Sequence, residues 1–296
     1  MASTGKKWAI GCGIGCGFFL LIIGAVGTCG YFSVRQIVDK ADGIEESFNE
    51  LDAQLGHAKD FVPDPEGRIP ADRMEIFLAV RQELAPSRDE SSLLMARLED
   101  KSMPRGPARA FDKIKAGIGF IPAMMAFIEE RNHVLLARGM GLGEYQYIYS
   151  LAFFGVLEKD PSDGPDFQVT GPEDEDEQSG PIRWGVHRQE DDSEGVRDLR
   201  AKETRRYLNK ALGLIVRNQL EELDRRLDGV DDPDLMQWRV DLAAEVEAME
   251  TEPRRILWEE GLPPQLLDSI EPYRDRLEDS YEEMMNVVEM GLVNHS

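Results

Sequence analysis

The stretch from Trp8 to Phe32 carries no charged residue. At about 25 residues it is long enough to cross a hydrocarbon core of roughly 30 Å as one helix. A chain with such a span must keep it in lipid or lose it on export. Trp8 at one end and Tyr31 with Phe32 at the other stand where interfacial aromatics stand, with Lys6 and Lys7 placed to snorkel. The span therefore predicts a single-pass membrane anchor. A cleaved export signal is the rival, but its apolar core runs only about 7–15 residues. Ala25-Val26-Gly27 has the small-x-small form of a cleavage site, and Val26 to Cys29 loosely follows a lipoprotein pattern. Lys6 and Lys7 precede the span, whereas Arg35 and Lys40 follow it. The lysine pair on its short tail places the N-terminus inside and the body outside, which in a bacterial envelope is the periplasm.

Glycine is dense within the span, and Gly11/Gly15 and Gly13/Gly17 are small-xxx-small pairs that let helix backbones approach closely in lipid. Beyond it, Val34, Ile37, Ala41, Ile44, Phe48, Leu51 and Leu55 recur at alternating spacings of three and four, the a/d seam of a coiled coil. The same period carried backwards meets Gly13, Cys16, Leu20, Ile23 and Gly27. Two arrangements satisfy the stripe. One is a parallel homo-oligomer zipped through span and stalk; the other is an amphipathic helix that lays its apolar face on its own body. Gly43 weakens a continuous helix by about 1 kcal/mol.

The net charge of −23 over 296 residues speaks against nucleic acid, whose phosphates the chain would repel, and against docking on an anionic membrane face; it favours basic or membrane-bound partners. All three cysteines, Cys12, Cys16 and Cys29, lie in the span, so the body has neither a disulfide framework nor a thiolate metal site.

Taken in order, the chain divides into a tail (1–7), the span (8–32), a helical stalk (33–60), a first part of the body (61–158), an acidic loop (159–198) and a second part (199–296). Pro63, Pro65, Gly67 and Pro70 break stalk from body. Met74, Phe77, Leu78 and Leu84 mark one helix, and Ser87-Arg88-Asp89-Glu90 has the form of a capping box for the next. Ala116–Ile128 and Tyr145–Leu157 are apolar on all sides and belong in a core. Gly139, Gly141 and Gly143 between them predict an antiparallel hairpin, with a re-entrant membrane hairpin as its rival. Glu173–Glu177, among prolines and glycines, reads as a disordered acidic tract; Phe167/Val169 and Ile182/Trp184/Val186 give only a weak hint of strands.

Three patterned helices follow. The first carries Leu208, Leu212, Val216, Leu220, Leu223 and Leu227; the second opens at Asp232-Pro233 and carries Leu235, Trp238, Leu242, Val246 and Met249. After a short helix at Pro253–Glu260, the last carries Leu266, Ile270, Tyr273, Leu277, Tyr281, Met285 and Val288, kinked at Pro272.

No cofactor signature and no catalytic constellation stands out. Glu130 and His133 form one Glu-x-x-His pair, but a di-iron bundle needs two such pairs and two further glutamates. Glu144 opens an aromatic helix; with Tyr145 and Tyr149 it could line a buried pocket, extended by Tyr147, Phe153 and Phe154. The sequence therefore predicts an all-α, membrane-anchored, non-catalytic scaffold or adaptor. The alternatives are a ligand-binding module around Tyr145–Phe154 and a tethered metalloenzyme using Glu130 and His133.

Overall fold

A computed structural model describes residues 43–99, 107–164 and 193–290. The 8–32 span, the seam positions from Gly13 to Ala41 and the acidic run 173–177 lie outside the described residues. Every regular element among the described residues is helical, as expected. No helix among the described residues is long and apolar enough to cross a membrane.

Helix α1 covers residues 43–55 and is followed by one 3-10 turn, Ala58–Asp60. Its seam settles part of the question left open by the spacing. Phe48 and Leu51 are buried in the chain's own core, and Ile44 packs against it, whereas Leu55 remains exposed. A side chain at 0 % exposure, as Leu51 is, has no face left for a second copy. For Ile44, Phe48 and Leu51 the stripe is therefore the docking face of an amphipathic helix, not a coiled-coil seam.

Helices α2 (Ala71–Glu83) and α3 (Ala85–Glu99) are separated only by the turn at Leu84. The capping box at Ser87 does not form: α3 starts two residues earlier, with Pro86 in its first turn, and Ser87 Oγ donates back to the Leu84 carbonyl at 3.2 Å. Helix α4 (Pro107–Arg138) continues through Pro122, which forfeits one backbone bond while Met124, Phe127 and Ile128 are buried just beyond it. It packs chiefly along α3, antiparallel, with Arg138 paired to Glu83 at 2.8 Å at one end. A Schellman turn ends it: Gly139 sits at φ +63°, and the Gly139 and Met140 amides donate to the Leu136 and Leu135 carbonyls.

Helix α5 (Leu142–Tyr149) passes without a break into a π-helix, Ser150–Val156. Both are buried as predicted, but they do not fold back as a hairpin along α4. Helix α5 packs instead with α2, α6 and the Ala58–Asp60 turn, and the π-helix with Pro264–Ile270 and Arg274–Ser280. The close approach to that turn requires Gly143, because a Cβ there would lie 2.1 Å from the Ala58 carbonyl oxygen.

Helices α6 (Ser193–Leu227) and α7 (Pro233–Thr251) form an antiparallel pair with the predicted faces inward. The predicted cap forms as well: Asp232 accepts from the Asp234 and Leu235 amides. The short helix expected at Pro253–Glu260 is a set of turns. The predicted last helix breaks twice: α8 (Pro264–Ile270) gives way at Pro272 to a 3-10 turn and then α9 (Arg274–Ser280), and Tyr281 is extended. A 3-10 turn (Glu283–Met285) leads into α10 (Asn286–Glu289). Its apolar spacing nonetheless holds, with Leu266, Ile270, Leu277, Met285 and Val288 all buried.

Candidate functional site

Three arginines lie buried where helical spacing reserves places for apolar residues. Arg81 follows Phe77 by four on α2, Arg88 follows Leu84 by four, and Arg131 follows Phe127 by four on α4. Each thus sits on the inward face of its helix, and all three are buried. Between Arg81 and Arg88 stands Glu289, the last residue of α10, itself fully buried and paired with both guanidiniums.

The remaining donors find backbone oxygen. Arg81 and Arg88 both reach the Ser280 carbonyl at the end of α9, and Arg88 also donates to the Arg81 carbonyl at 2.8 Å. Arg131 donates to the Val288 and Glu289 carbonyls at 3.0 and 3.1 Å, and to Asn132 Oδ1. Cations thus meet the free carbonyls at the ends of two short helices, where such charge is favoured. Asn132 passes the network on to α1 through Ser47 Oγ at 3.0 Å.

The aromatic residues expected to line a pocket surround this cluster, and their space is filled. The Arg81 guanidinium lies 4.6 Å from the Phe153 ring centroid and 5.3 Å from that of Tyr149. Tyr149 and Phe153 centroids are 4.5 Å apart, Phe77 and Tyr145 5.2 Å. The Tyr145 hydroxyl accepts from Arg81 at 3.2 Å, and the Tyr149 hydroxyl donates to Asn286 Oδ1 at 3.0 Å. Tyr147 faces another way, toward Phe61. Glu144 does not join them; it forms a two-pronged pair with Arg73 of α2 at 2.6 and 2.5 Å. The pocket predicted from Glu144, Tyr145 and Tyr149 is therefore a packed core with an arginine at its centre.

Electrostatically the cluster holds fixed charge. Burial alone would raise the Glu289 carboxyl, but Arg81 and Arg88 outweigh it and hold it below the usual carboxylate range. Burial would likewise lower Arg81, and the neighbouring Glu289 carries it above its ordinary value instead. Arg131, which meets carbonyls rather than a carboxylate, is lowered by burial. Burial and then Glu289 push the Tyr149 phenol well up, so it keeps its proton. These groups act as an ionic clamp that fixes the C-terminal strap to α2, α3 and α4.

A second, smaller clamp lies at the end of α7. Arg255 pairs with buried Glu245 at 2.9 Å and with Glu260, and Glu245 also accepts the Trp258 amide at 2.7 Å. Trp258 is held there at φ +58°, stacked on Trp238 at 5.6 Å. Beside it a surface depression of about 460 Å³ is lined by Thr251–Arg255 and Glu259. The metal candidates fare differently. Glu130 and His133 are both exposed on α4, and no group of three metal-ligating side chains occurs among the described residues. The pair is a surface feature of its helix.

Nothing in the apolar periodicity marks Arg81, Arg88, Arg131 or Glu289 as a set. The available signal is a charged residue in phase with an apolar face, which Arg81 shows between Phe77 and Leu84. Comparison with known protein families, curated proteins and solved structures finds no match to this chain.

Proposed function

We propose that this protein is a single-pass, membrane-anchored interaction module whose helical body is held close to the bilayer and acts by binding rather than by catalysis. The observation that supports the reading most is the distance between span and body. The uncharged 8–32 stretch ends eleven residues before α1, whose Phe48 and Leu51 are locked into the core. A body so tethered stays within about 40 Å of the headgroups, the reach of that many extended residues. Its surface is strongly acidic, so the partner is a basic or membrane-bound protein, and the N-inside orientation places it on the outer side of a bacterial inner membrane.

Two measurements test this. The full chain should remain in the pellet after alkaline carbonate extraction and float with liposomes; release into the supernatant would refute the anchor. Crosslinking in intact membranes should then trap a defined basic or integral partner. Recovery of the bait alone under several solubilisation conditions would refute the adaptor reading.

A further inference from the structure

Exposed apolar side chains are scattered over most of the described surface and gathered in one place. Leu55, Val62, Leu93 and Leu267 stand on four separate segments, as single exposed hydrophobics commonly do. Val230, Met236 and Val240 instead fall within eleven residues, at 51 %, 40 % and 58 % exposure. Val230 lies in the turn before α7, and the other two lie on α7 itself. Trp238, Leu242, Glu245, Val246 and Met249 fix the inward face of that helix. At about 100° per residue, Pro233, Met236, Val240 and Ala244 share the opposite face. Pro233 and Ala244 are exposed as well. The stripe follows an i, i+4 ridge from Met236 to Ala244 and, counted from Pro233, runs about 16 Å, or about three turns.

The charges around it are unevenly satisfied. On the side toward α6, Arg239 pairs with Asp224 and Arg217 with Glu250. Arg225 and Arg226, just before the turn, pair with Glu222 and Glu66. Asp228, Asp231, Asp234, Asp241 and Glu247 are exposed beside and beyond the stripe, and none has a cationic partner among the described residues. Asp241 only accepts from the Gln237 amide, at 2.9 Å.

This combination decides what can lie there. Covering the apolar ridge is favourable in proportion to the area removed from water. A second copy laying the same stripe on it would bring the same five carboxylates against these five, and an anionic bilayer would bring phosphates, so both are repelled. A basic helix is attracted instead. Its own apolar residues at i, i+3 and i+4 interdigitate with Met236 and Val240, and its cations meet the unpaired acids at the border.

We propose that the outer face of α7 is the docking surface of the body, and that its occupant is a partner protein's amphipathic helix with lysine or arginine beside an apolar stripe. The inference rests on the reading of the protein as a module for a basic partner, and gives that partner a form and a place.

The test uses the full chain in phosphatidylcholine nanodiscs, with empty discs to subtract what lipid alone binds. The probe is a fluorescent peptide of about four turns, with leucine at i, i+3, i+4 and i+7 and lysine elsewhere. A second peptide has glutamate for lysine. The lysine peptide should bind the chain beyond the empty discs, and the glutamate peptide should not. Met236→Ser/Val240→Ser should weaken binding about twentyfold, at about four- to fivefold for each half-buried side chain. Leu93→Ser, an exposed leucine on α3, should leave it unchanged. Asp234→Asn/Asp241→Asn/Glu247→Gln should weaken it about tenfold, and about 0.5 M salt should do the same to the unsubstituted chain. All of these side chains are exposed, so the substitutions leave the core intact. Binding that survives Met236→Ser/Val240→Ser overturns the surface. Equal binding of the lysine and glutamate peptides overturns the basic occupant. Dimerisation of the unsubstituted chain that Met236→Ser/Val240→Ser abolishes assigns the face to a second copy and overturns the proposal too. A basic partner crosslinked in membranes equally well by the Met236→Ser/Val240→Ser chain overturns this surface and leaves the module reading standing, whereas release of the chain by carbonate overturns the anchor alone.

Discussion

Replacing Glu289 by glutamine isolates the charge of the central clamp while keeping its size. The carboxylate is fully buried and is the group that pairs with both Arg81 and Arg88. A glutamine can accept from one guanidinium, but its amide nitrogen then faces the donors of the other. Two buried cations lose their counter-charge, with Arg131 as a third close by. Removing one partner of a buried pair costs about 3–5 kcal/mol, because the charge left behind cannot reach water. Against a total stability of about 5–15 kcal/mol, that is a large fraction. Urea unfolding of the full chain in detergent micelles should show the loss as an earlier midpoint with an unchanged slope. A change below about 1 kcal/mol would refute the reasoning, since it would mean that the carbonyls of Ser280, Val288 and Glu289 hold the arginines without the carboxylate.

The same site fixes a pH dependence. Although burial would raise the Glu289 carboxyl, Arg81 and Arg88 hold it below its ordinary range in the folded chain. In the unfolded chain it titrates near an ordinary glutamate, about 4.3. A depressed folded value means that the unfolded state binds the proton first. The stabilisation is therefore complete above about pH 4.3 and is lost as pH falls through the folded value. The stability difference between the unsubstituted chain and Glu289→Gln should accordingly be flat near neutrality and shrink in acid. A difference that grows on acidification would show the sign to be wrong.

Three further outcomes are expected from the packing. Leu51→Ala should cost about 2–5 kcal/mol by leaving a cavity in the monomer's own core, and the cost should not vary with protein concentration; a concentration-dependent loss would restore the oligomer seam. Gly143→Ala forces a Cβ to within 2.1 Å of the Ala58 carbonyl, so its thermal midpoint should fall well below that of Gly139→Ala, which meets open space and bears only the cost of φ +63°. Asp232→Ala removes the two-bond cap of α7 and should cost about 1 kcal/mol by urea unfolding, with helicity otherwise unchanged by circular dichroism.

Much of the helical frame is legible in the chain because apolar spacing reports burial directly. The faces of α6 and α7 follow from their leucines, and the start of α7 follows from Asp232-Pro233, a local chemistry that needs no tertiary partner. Where a neighbour decides the outcome, the pattern fails. Ser87 has the form of a cap, but α3 begins at Ala85, and Arg88 points inward to Glu289, two hundred residues away in sequence. Of the two breaks in the last patterned helix, the one at Pro272 is local, whereas at the second Tyr281 reaches Asp163 and Ser280 offers its carbonyl to two arginines. Within residues 43–55 the stalk pattern holds its period and is ambiguous in partner. A stripe of Ile44, Phe48 and Leu51 is equally satisfied by a second copy or by α4, and only packing distinguishes them.

The clamp and the docking of α1 are physically one construction. Ser47 on α1 bonds Asn132, Asn132 accepts from Arg131, Arg131 holds the carbonyls of Val288 and Glu289, and Glu289 binds Arg81 and Arg88. One polar chain thus joins α1, the helices α2, α3 and α4, and the C-terminal α9 and α10. Such a network is costly to form in a low-dielectric core and costly to leave half made, so it favours a single arrangement of the elements it joins. The consequence is a fixed orientation of α1 on the body. Gly43 set against Glu129 and Ser47 bonded to Asn132 hold α1 parallel to the second half of α4. Loosening the clamp should therefore act at a distance: a body that still folds would let α1 swing away from α4 before it lost its helices.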